Sequence, residues 1–552
     1  MSTEPTTRQI ADPVPRDTPG AREIGFDVPE RYNASSILFD NLDQGRAQSL
    51  AVTGPAGSRT YAELCAEASR YGHALQSLGL IPGDRVLLFL DNTPAYAAAF
   101  FGALRAGLVP LLINTLTPSD LLQFYLSDSG AAVAVAEASF AGRFDAAACA
   151  NTNLRTLVVV NGDAPDQAPV ETIAAGEWIG RFPQSLACAE THRDDMAFWM
   201  YSSGSTGRPK GIVHLHHDMA YTAASYARNV LHLSPDDLCF SVPKIFFAYG
   251  FGNSLTFPFS VGAASVLLPG QPKPAAILEV ISRYRPTAFF ALPTVYTALT
   301  KAPEARSANF SSLRICLSAA EILAAEVFND WKALTGIEIV EGLGSTEVLH
   351  IYLSNTVSGK KIGAAGRRVP GYEVVLKDME GRTVPAGEEG TLWVRGDSNA
   401  PFYWNRPDKT AETMREGGWI YTGDRFVCDE DGFFFFRGQA DDLVKVSGQW
   451  VYPLEVELCL ANHPAVRECA VFAVELPDRR TSLKAYVVMD ETDFEPEATT
   501  RLLQDYVKSK LLPYKYPRIV EFLDELPKTG TGKIDRQTLL KTGSAPHAAL
   551  KD

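Results

Sequence analysis

Hydrophobic and polar positions along the chain switch between two periods. Residues 61–80 set apolar side chains at helical spacing, and Gly83-Asp84 then leads into the unbroken apolar run Val86-Leu87-Leu88-Phe89-Leu90. That order predicts a helix followed by a strand buried on both faces. The unit recurs, with helical spacing over 95–105, 121–127 and 274–284 preceding apolar runs over 109–113, 132–136 and 288–292. Alternation of this kind predicts an α/β fold of stacked layers with largely parallel sheets. From about Gly371 the texture changes to short strands and turns, as in Tyr372-Glu373-Val374-Val375-Leu376 and Gly390-Thr391-Leu392-Trp393-Val394. A β-rich subdomain is expected over about 371–440, closing a large N-terminal domain of residues 26–440. Residues 441–552 then read as a smaller α+β domain, with helices near 453–461 and 499–510 and strands near 469–474 and 484–489. Residues 1–25 are rich in Thr, Pro, Asp and Arg and lack the apolar core of a secretory signal, so they read as a disordered leader.

Composition narrows the class. A chain of 552 residues with 46% hydrophobic content buries a large core and divides into more than one domain. Its 51 basic and 65 acidic residues leave a formal charge of −14, which disfavours nucleic acid or an anionic membrane as a general partner. The eight cysteines are scattered with no C-x-x-C pair, a pattern of reduced thiols in a cytoplasm. The apolar stretch 106–114 falls short of a membrane span and reads as a buried strand.

The candidate chemistry begins at Tyr201-Ser202-Ser203-Gly204-Ser205-Thr206-Gly207-Arg208-Pro209-Lys210-Gly211. Glycines let the backbone approach an anion, hydroxyls donate hydrogen bonds, and Arg208 and Lys210 add charge, which suits phosphate. Phe198-Trp199-Met200-Tyr201 in front reads as a buried strand, and no Walker A pattern is present. By composition alone the loop also suits a solvated turn.

The loop resembles the phosphate-binding signature of the adenylate-forming superfamily, which contains acyl-CoA synthetases, peptide-synthetase adenylation domains and luciferases. Four further segments resemble that family in order: Glu341-Gly342-Leu343-Gly344-Ser345-Thr346-Glu347, Tyr421-Thr422-Gly423-Asp424, the stretch from Arg437 to Gly448, and Pro527-Lys528-Thr529-Gly530-Thr531-Gly532-Lys533-Ile534-Asp535-Arg536. The resemblance implies activation of a carboxylic acid by ATP and Mg²⁺ to an acyl-adenylate, followed by transfer to coenzyme A, with a small mobile C-terminal domain. It implies a phosphate site at Ser202, Ser203, Gly204, Ser205, Thr206, Gly207 and Lys210, and an adenine site at Glu341, Gly342 and Leu343. Thr346 would contact the α-phosphate, Glu347 would hold Mg²⁺ and Asp424 would accept the ribose hydroxyls. Lys533 would be the catalytic lysine, and Asp441 the hinge about which Lys533 exchanges with a coenzyme A loop carrying Lys445, Ser447, Gly448 and Trp450. As bare residues, Thr346 and Glu347 equally suit a helix cap, and Lys533 an ordinary surface lysine. Two positions depart from the family pattern: Gln439 stands where many members carry Arg, and Leu343 where many carry an aromatic ring.

Lys244-Ile245-Phe246-Phe247-Ala248-Tyr249-Gly250-Phe251-Gly252-Asn253, Leu255-Thr256-Phe257-Pro258 and the run from Gly344 to Ile351 resemble the corresponding segments of benzoate-CoA ligases. The resemblance implies an acyl pocket of Ala248, Tyr249, Phe257, Gly344, His350 and Ile351, shaped for a flat ring. Benzoate is the first expectation, with 2-aminobenzoate and hydroxybenzoates as alternatives. An aryl-AMP ligase loading a carrier protein and a non-catalytic aromatic-acid-binding relative complete the set. His214-Leu215-His216-His217 lacks a carboxylate or cysteine set around it and reads as a helix start, not a zinc site. A cytoplasmic monomer or homodimer serving aromatic catabolism is the corresponding expectation.

Overall fold

Runs of apolar residues buried on both faces become the strands of two large sheets. The computed structural model describes residues 19–165, 168–202, 209–320, 323–439, 444–446, 449–451, 453–476, 481–491, 493–512, 515–528 and 534–543. A seven-stranded sheet runs in the order Glu171–Ala174, Thr156–Val160, Val133–Glu137, Arg85–Phe89, Val109–Leu112, Met196–Ser202, Lys210–Leu215. It is parallel except for its last pair, an antiparallel hairpin. A nine-stranded sheet is parallel through its centre, where Leu238–Ser241, Ala288–Ala291, Ile315–Ala319 and Ile339–Gly344 lie side by side. It turns antiparallel at both ends.

Helices fill the space between and outside these sheets. Tyr61–Ser77 and Pro94–Arg105 share one core with Val86 and Leu88 of the seven-stranded sheet and with Leu90, Val52 and Phe259. These two helices touch at Gly72 and Gly102, where a Cβ on Gly102 would sit 2.3 Å from the Ala68 carbonyl oxygen. Only glycine permits that approach. The alternate residues Leu87 and Phe89 face a second core with Leu122 and Leu126 of the helix Ser119–Ser129. On the nine-stranded sheet, Phe240, Phe289 and Cys316 pack under the helices Pro274–Tyr284, Pro293–Lys301 and Ala325–Thr335.

The expected change of texture is present. Strands Glu373–Lys377, Glu389–Arg395, Met414–Arg415, Trp419–Cys428 and Phe434–Gln439 form an antiparallel sheet. Glu389–Arg395 alternates strictly between buried and half-buried positions, as a sheet with one packed face does. Its inward Leu392 and Val394 join Tyr221, Tyr226 and Tyr352 in a shared core. The small C-terminal α/β domain has a separate core of Val456, Leu460, Val471, Ala485, Val487, Leu503 and Val507. Its strands Val466–Glu475 and Thr481–Met489 are antiparallel, with Ile519–Phe522 added in parallel. Lys301 meets Asp490 of this domain at 2.8 Å. No helix among the described residues is long and apolar enough to cross a membrane, and all eight cysteines are unpaired.

Candidate active site

Ser202 pairs with Lys210 at the mouth of the hairpin formed by Met196–Ser202 and Lys210–Leu215. The candidate phosphate segment therefore connects the two strands of an antiparallel pair at the sheet edge. Ser203, Gly204, Ser205, Thr206 and Gly207 themselves lie outside the described residues. Lys210 Nζ sits 4.3 Å above the Tyr403 ring. The Tyr403 hydroxyl in turn donates to Glu347 Oε1 at 2.8 Å. A loop cation, an aromatic ring and the candidate metal ligand are thus joined across more than a hundred residues of sequence.

The strand Ile339–Gly344 carries the adenine motif out of the sheet centre. Gly342 is paired on both sides, with Ala319 in parallel and Ser354 antiparallel, and Leu343 is half-buried opposite Leu353. Glu341 is buried with Oε1 accepting the Leu323 N–H at 3.1 Å, and burial pushes its carboxyl up to about 8. The strand then bends sharply, since a Cβ on Gly344 would lie 2.3 Å from the His350 carbonyl oxygen. Thr346 and Glu347 sit inside that bend. The Leu349 N–H closes it on the Thr346 carbonyl at 3.0 Å, and Leu349 takes φ 71°, a conformation uncommon for a residue other than glycine.

Asp424 lies in Trp419–Cys428, in register with Gln439, and its N–H donates to Thr422 Oγ1 at 3.0 Å. Tyr352 links this region to the bend. Burial, with the Asp424 and Glu347 carboxylates nearby, holds its hydroxyl well above the usual phenol range. Glu347 and Asp424 therefore stand around one buried tyrosine.

The residues of the expected acyl pocket lie in a packed cluster of rings. Ala248 and Tyr249 lie in the short helix Ala248–Phe251, which continues through a π-helical stretch Gly252–Thr256 into the helix Phe257–Val261. Such wide turns often mark functional sites. His350 is enclosed by Phe257, Tyr226 and Tyr249, at centroid distances of 4.4, 5.5 and 5.6 Å. Burial pushes its imidazole pKa down to about 3, so the ring is neutral. Gly252 presses on it, since a Cβ there would meet His350 Cδ2 at 2.4 Å. Ile351 is buried and paired with Gly344.

Asp441, Ser447, Gly448 and Lys533 lie outside the described residues. Of Lys445 and Trp450 the structure describes the strand pairing, one opposite the other. Sequence reasoning missed Tyr226 and Tyr403, single aromatic residues with no motif around them, and Tyr352, one residue beyond the run that ends at Ile351. It also overlooked Asp218 beside the histidine run, whose reading as a helix start holds at His216. Lys210–Leu215 remains a strand through His214, the helix begins only at His216, and the overlooked Asp218 lies 2.8 Å from His214.

Comparison with known proteins identifies the family. The AMP-binding enzyme family matches residues 39–404 and the AMP-binding enzyme C-terminal domain matches residues 455–533. A benzoate–CoA ligase of Thauera aromatica is 42% identical over 512 residues, covering 92% of this chain and 96% of the relative. A 4-hydroxybenzoate–CoA/benzoate–CoA ligase of Rhodopseudomonas palustris is 39% identical, covering 92% and 94%. Among solved structures, the anthranilate CoA ligase AuaEII in complex with anthranoyl-AMP superposes with a TM-score of 0.88 at 38% identity, covering 94% of this chain and 98% of that one. A benzoate CoA ligase from Burkholderia xenovorans LB400 gives 0.84 at 39%, covering 92% and 99%. The chain belongs to the adenylate-forming AMP-binding enzymes, within the aromatic acid–CoA ligase family.

Proposed function

We propose that this protein ligates benzoate to coenzyme A through benzoyl-adenylate. In the first half-reaction a benzoate oxygen attacks the α-phosphorus of ATP and pyrophosphate leaves. In the second, the coenzyme A thiol attacks the acyl carbon and AMP leaves. The observation that supports this choice of acid is the packing around His350, whose neutral imidazole sits among three rings. A flat ring gains edge and face contacts there, whereas a carboxylate would lose its hydration without a charged partner. The acid therefore enters ring first, leaving its carboxylate toward Thr346 and the nucleotide.

Bringing that carboxylate to a polyanion requires cations and donors placed in advance. Lys210 serves the terminal phosphates with Ser202 and the residues of the turn, and Thr346 contacts the α-phosphate. Asp424 accepts the ribose hydroxyls. Lys533 enters as a point charge bridging carboxylate and phosphate, and leaves when rotation about Asp441 brings the Lys445 to Trp450 segment to the site. Magnesium suits the remaining donors. Among the described residues there is no cluster of three or more His, Cys, Asp or Glu side chains able to hold a metal, and Tyr403 holds only Oε1 of Glu347. One carboxylate oxygen plus phosphate oxygens and water is how Mg²⁺ is commonly bound, and the bound ion would neutralise phosphate charge.

The test is a competition. The protein is mixed with ATP, Mg²⁺, coenzyme A and equimolar benzoate, 2-aminobenzoate, 3- and 4-hydroxybenzoate and a medium-chain fatty acid, and the products are weighed by mass spectrometry. Predominant benzoyl-CoA with AMP is expected. A substituted aroyl-CoA keeps the chemistry and overturns the benzoate preference. Aroyl-AMP without any thioester points to a carrier-protein acceptor, and no nucleotide turnover points to a binding protein.

A further inference from the structure

We propose that His214 and Asp218 are positioning residues for adenylate formation, clamping the Thr346-Glu347 pair from behind. The proposal rests on the reading of Thr346 and Glu347 given above.

Both side chains of the pair are fully buried. His214 Nδ1 lies 2.8 Å from Asp218 Oδ2, and Nε2 lies 2.8 Å from the Thr346 carbonyl oxygen. A carbonyl only accepts, so His214 Nε2 carries a hydrogen and donates it to Thr346. Asp218 orients the ring that makes this donation, and its Oδ2 is itself fixed by the Leu215 N–H at 3.0 Å. The Thr346 oxygen thus receives two donors, His214 from outside the bend and Leu349 from within.

The neighbouring histidine extends the clamp. His217 faces carbonyl oxygens on both sides, Arg193 at 2.9 Å and Asp397 at 2.7 Å. Asp397 begins the segment whose Ser398 Oγ donates to the Val348 carbonyl at 2.9 Å and whose Ala400 N–H donates to the Glu347 carbonyl at 2.7 Å. Three successive carbonyls, those of Thr346, Glu347 and Val348, therefore each receive a donor from outside the bend. Peptide planes held this way fix where the Thr346 hydroxyl and the Glu347 carboxylate point. His216, between the two, does something else: its Nδ1 accepts the Ala34 N–H at 3.1 Å, and burial pushes its pKa down to about 4. A buried His–Asp pair is a costly way to fill a core, because its desolvation must be offset by geometry. What it delivers that an apolar side chain cannot is one directed hydrogen bond to one carbonyl.

The two half-reactions separate positioning from folding. His214→Ala, His214→Gln and Asp218→Asn are assayed for benzoate-dependent pyrophosphate exchange and, separately, for thiolation of supplied benzoyl-adenylate, with melting temperatures alongside. His214→Ala is expected to lower the adenylation kcat by roughly 30-fold or more and to raise the Mg²⁺ requirement, since misplacement by an ångström costs about a hundredfold. The thiolation rate should stay near the parental value. His214→Gln, whose amide N–H can reach the Thr346 oxygen, should recover most of the loss. Adenylation at the parental rate in His214→Ala overturns the clamp, as does an equal fall of both half-reactions in step with melting temperature. Where His214→Ala does not fold, His214→Gln and Asp218→Asn decide by the same criteria. If the unmodified protein itself makes no aroyl-adenylate, the underlying reading of the site falls and the clamp with it.

Discussion

Replacing Gly252 by Ala tests the ring cluster around His350 at its tightest point. The added Cβ would lie 2.4 Å from His350 Cδ2, 2.7 Å from His350 Nε2 and 3.2 Å from Phe257 Cζ. Carbon contacts rest at about 3.5–4.0 Å, so the imidazole must retreat by about 1 Å. Tyr226, Tyr249 and Phe257 hem the ring in, and the retreat disturbs their packing. Overpacking of this kind costs about 1–3 kcal/mol. If the cost falls on the acid-bound state, kcat/KM for benzoate drops by roughly 5- to 150-fold. Gly252 is helical, so alanine's better helix propensity offsets part of the strain by up to about 1 kcal/mol and the melting temperature should move little. The assay is the initial rate of benzoyl-CoA formation against benzoate at saturating ATP and coenzyme A, repeated against ATP. KM for ATP should hold near its parental value. A kcat/KM for benzoate unchanged in Gly252→Ala would refute the assignment of His350 as a wall of the acid site.

Three more outcomes are expected. Tyr403→Phe keeps the ring under Lys210 but removes the hydrogen bond to Glu347; a hydrogen bond to a charged group contributes about 1.5–3 kcal/mol, so the Mg²⁺ concentration for half-maximal adenylation should rise by roughly 10- to 150-fold. Lys533→Ala should lose adenylate formation by ~100-fold or more while still thiolating supplied benzoyl-adenylate, and unimpaired adenylation would remove Lys533 from the mechanism. Glu341, raised by burial from 4.5 to about 8, binds more protons folded than unfolded between those values, so its contribution to stability falls as pH rises through that window. Glu341→Gln should therefore gain on the parent between pH 5 and pH 8, by up to roughly 4 kcal/mol, and parallel melting curves for the two would show that Glu341 is not the group responsible.

What the sequence made legible was local. The run 86–90 is apolar on both faces, and Arg85–Phe89 is a strand with neighbours on both sides; residues 61–80 carry a 3.6 period, and Tyr61–Ser77 is a helix. The motifs also placed Glu347 and Asp424 in one region, but only through the resemblance, because single acidic residues carry no periodic signal. The unreadable part is long-range. Tyr403 reaches Glu347 across 56 residues and His214 reaches Thr346 across 132, and no local pattern encodes either contact. The hairpin at the phosphate loop was hidden because Met196–Ser202 is as uniformly apolar as the parallel strands beside it. The histidine run holds the expected helix start at His216, but the link from His214 to Asp218 and Thr346 carries no motif that a sequence displays.

The ring cluster also limits how the acid can be chosen. An apolar pocket rejects an added hydroxyl by only about a hundredfold and a methylene by about 1–3 kcal/mol. His350, held neutral among three rings, adds no charge with which to discriminate ring substituents. A preference for benzoate over its hydroxylated analogues would then rest on shape, on how far His350 stands from Ala248 and Phe257, and on whether the buried Tyr249 hydroxyl and His350 ring nitrogens meet a substituent. Shape is rigid here because His350 is pinned twice. Gly252 presses on the imidazole from one side, and the bend holding His350 is anchored through the Thr346, Glu347 and Val348 carbonyls. Binding of the ring and orientation of the phosphate-facing residues thus share one stretch of backbone, from Gly344 to Ile351. A ring too large for the pocket would displace His350, and through it the Thr346-Glu347 pair. Selectivity should consequently appear in the adenylation kcat as well as in KM, which is the pattern expected when binding energy is used to align reacting groups.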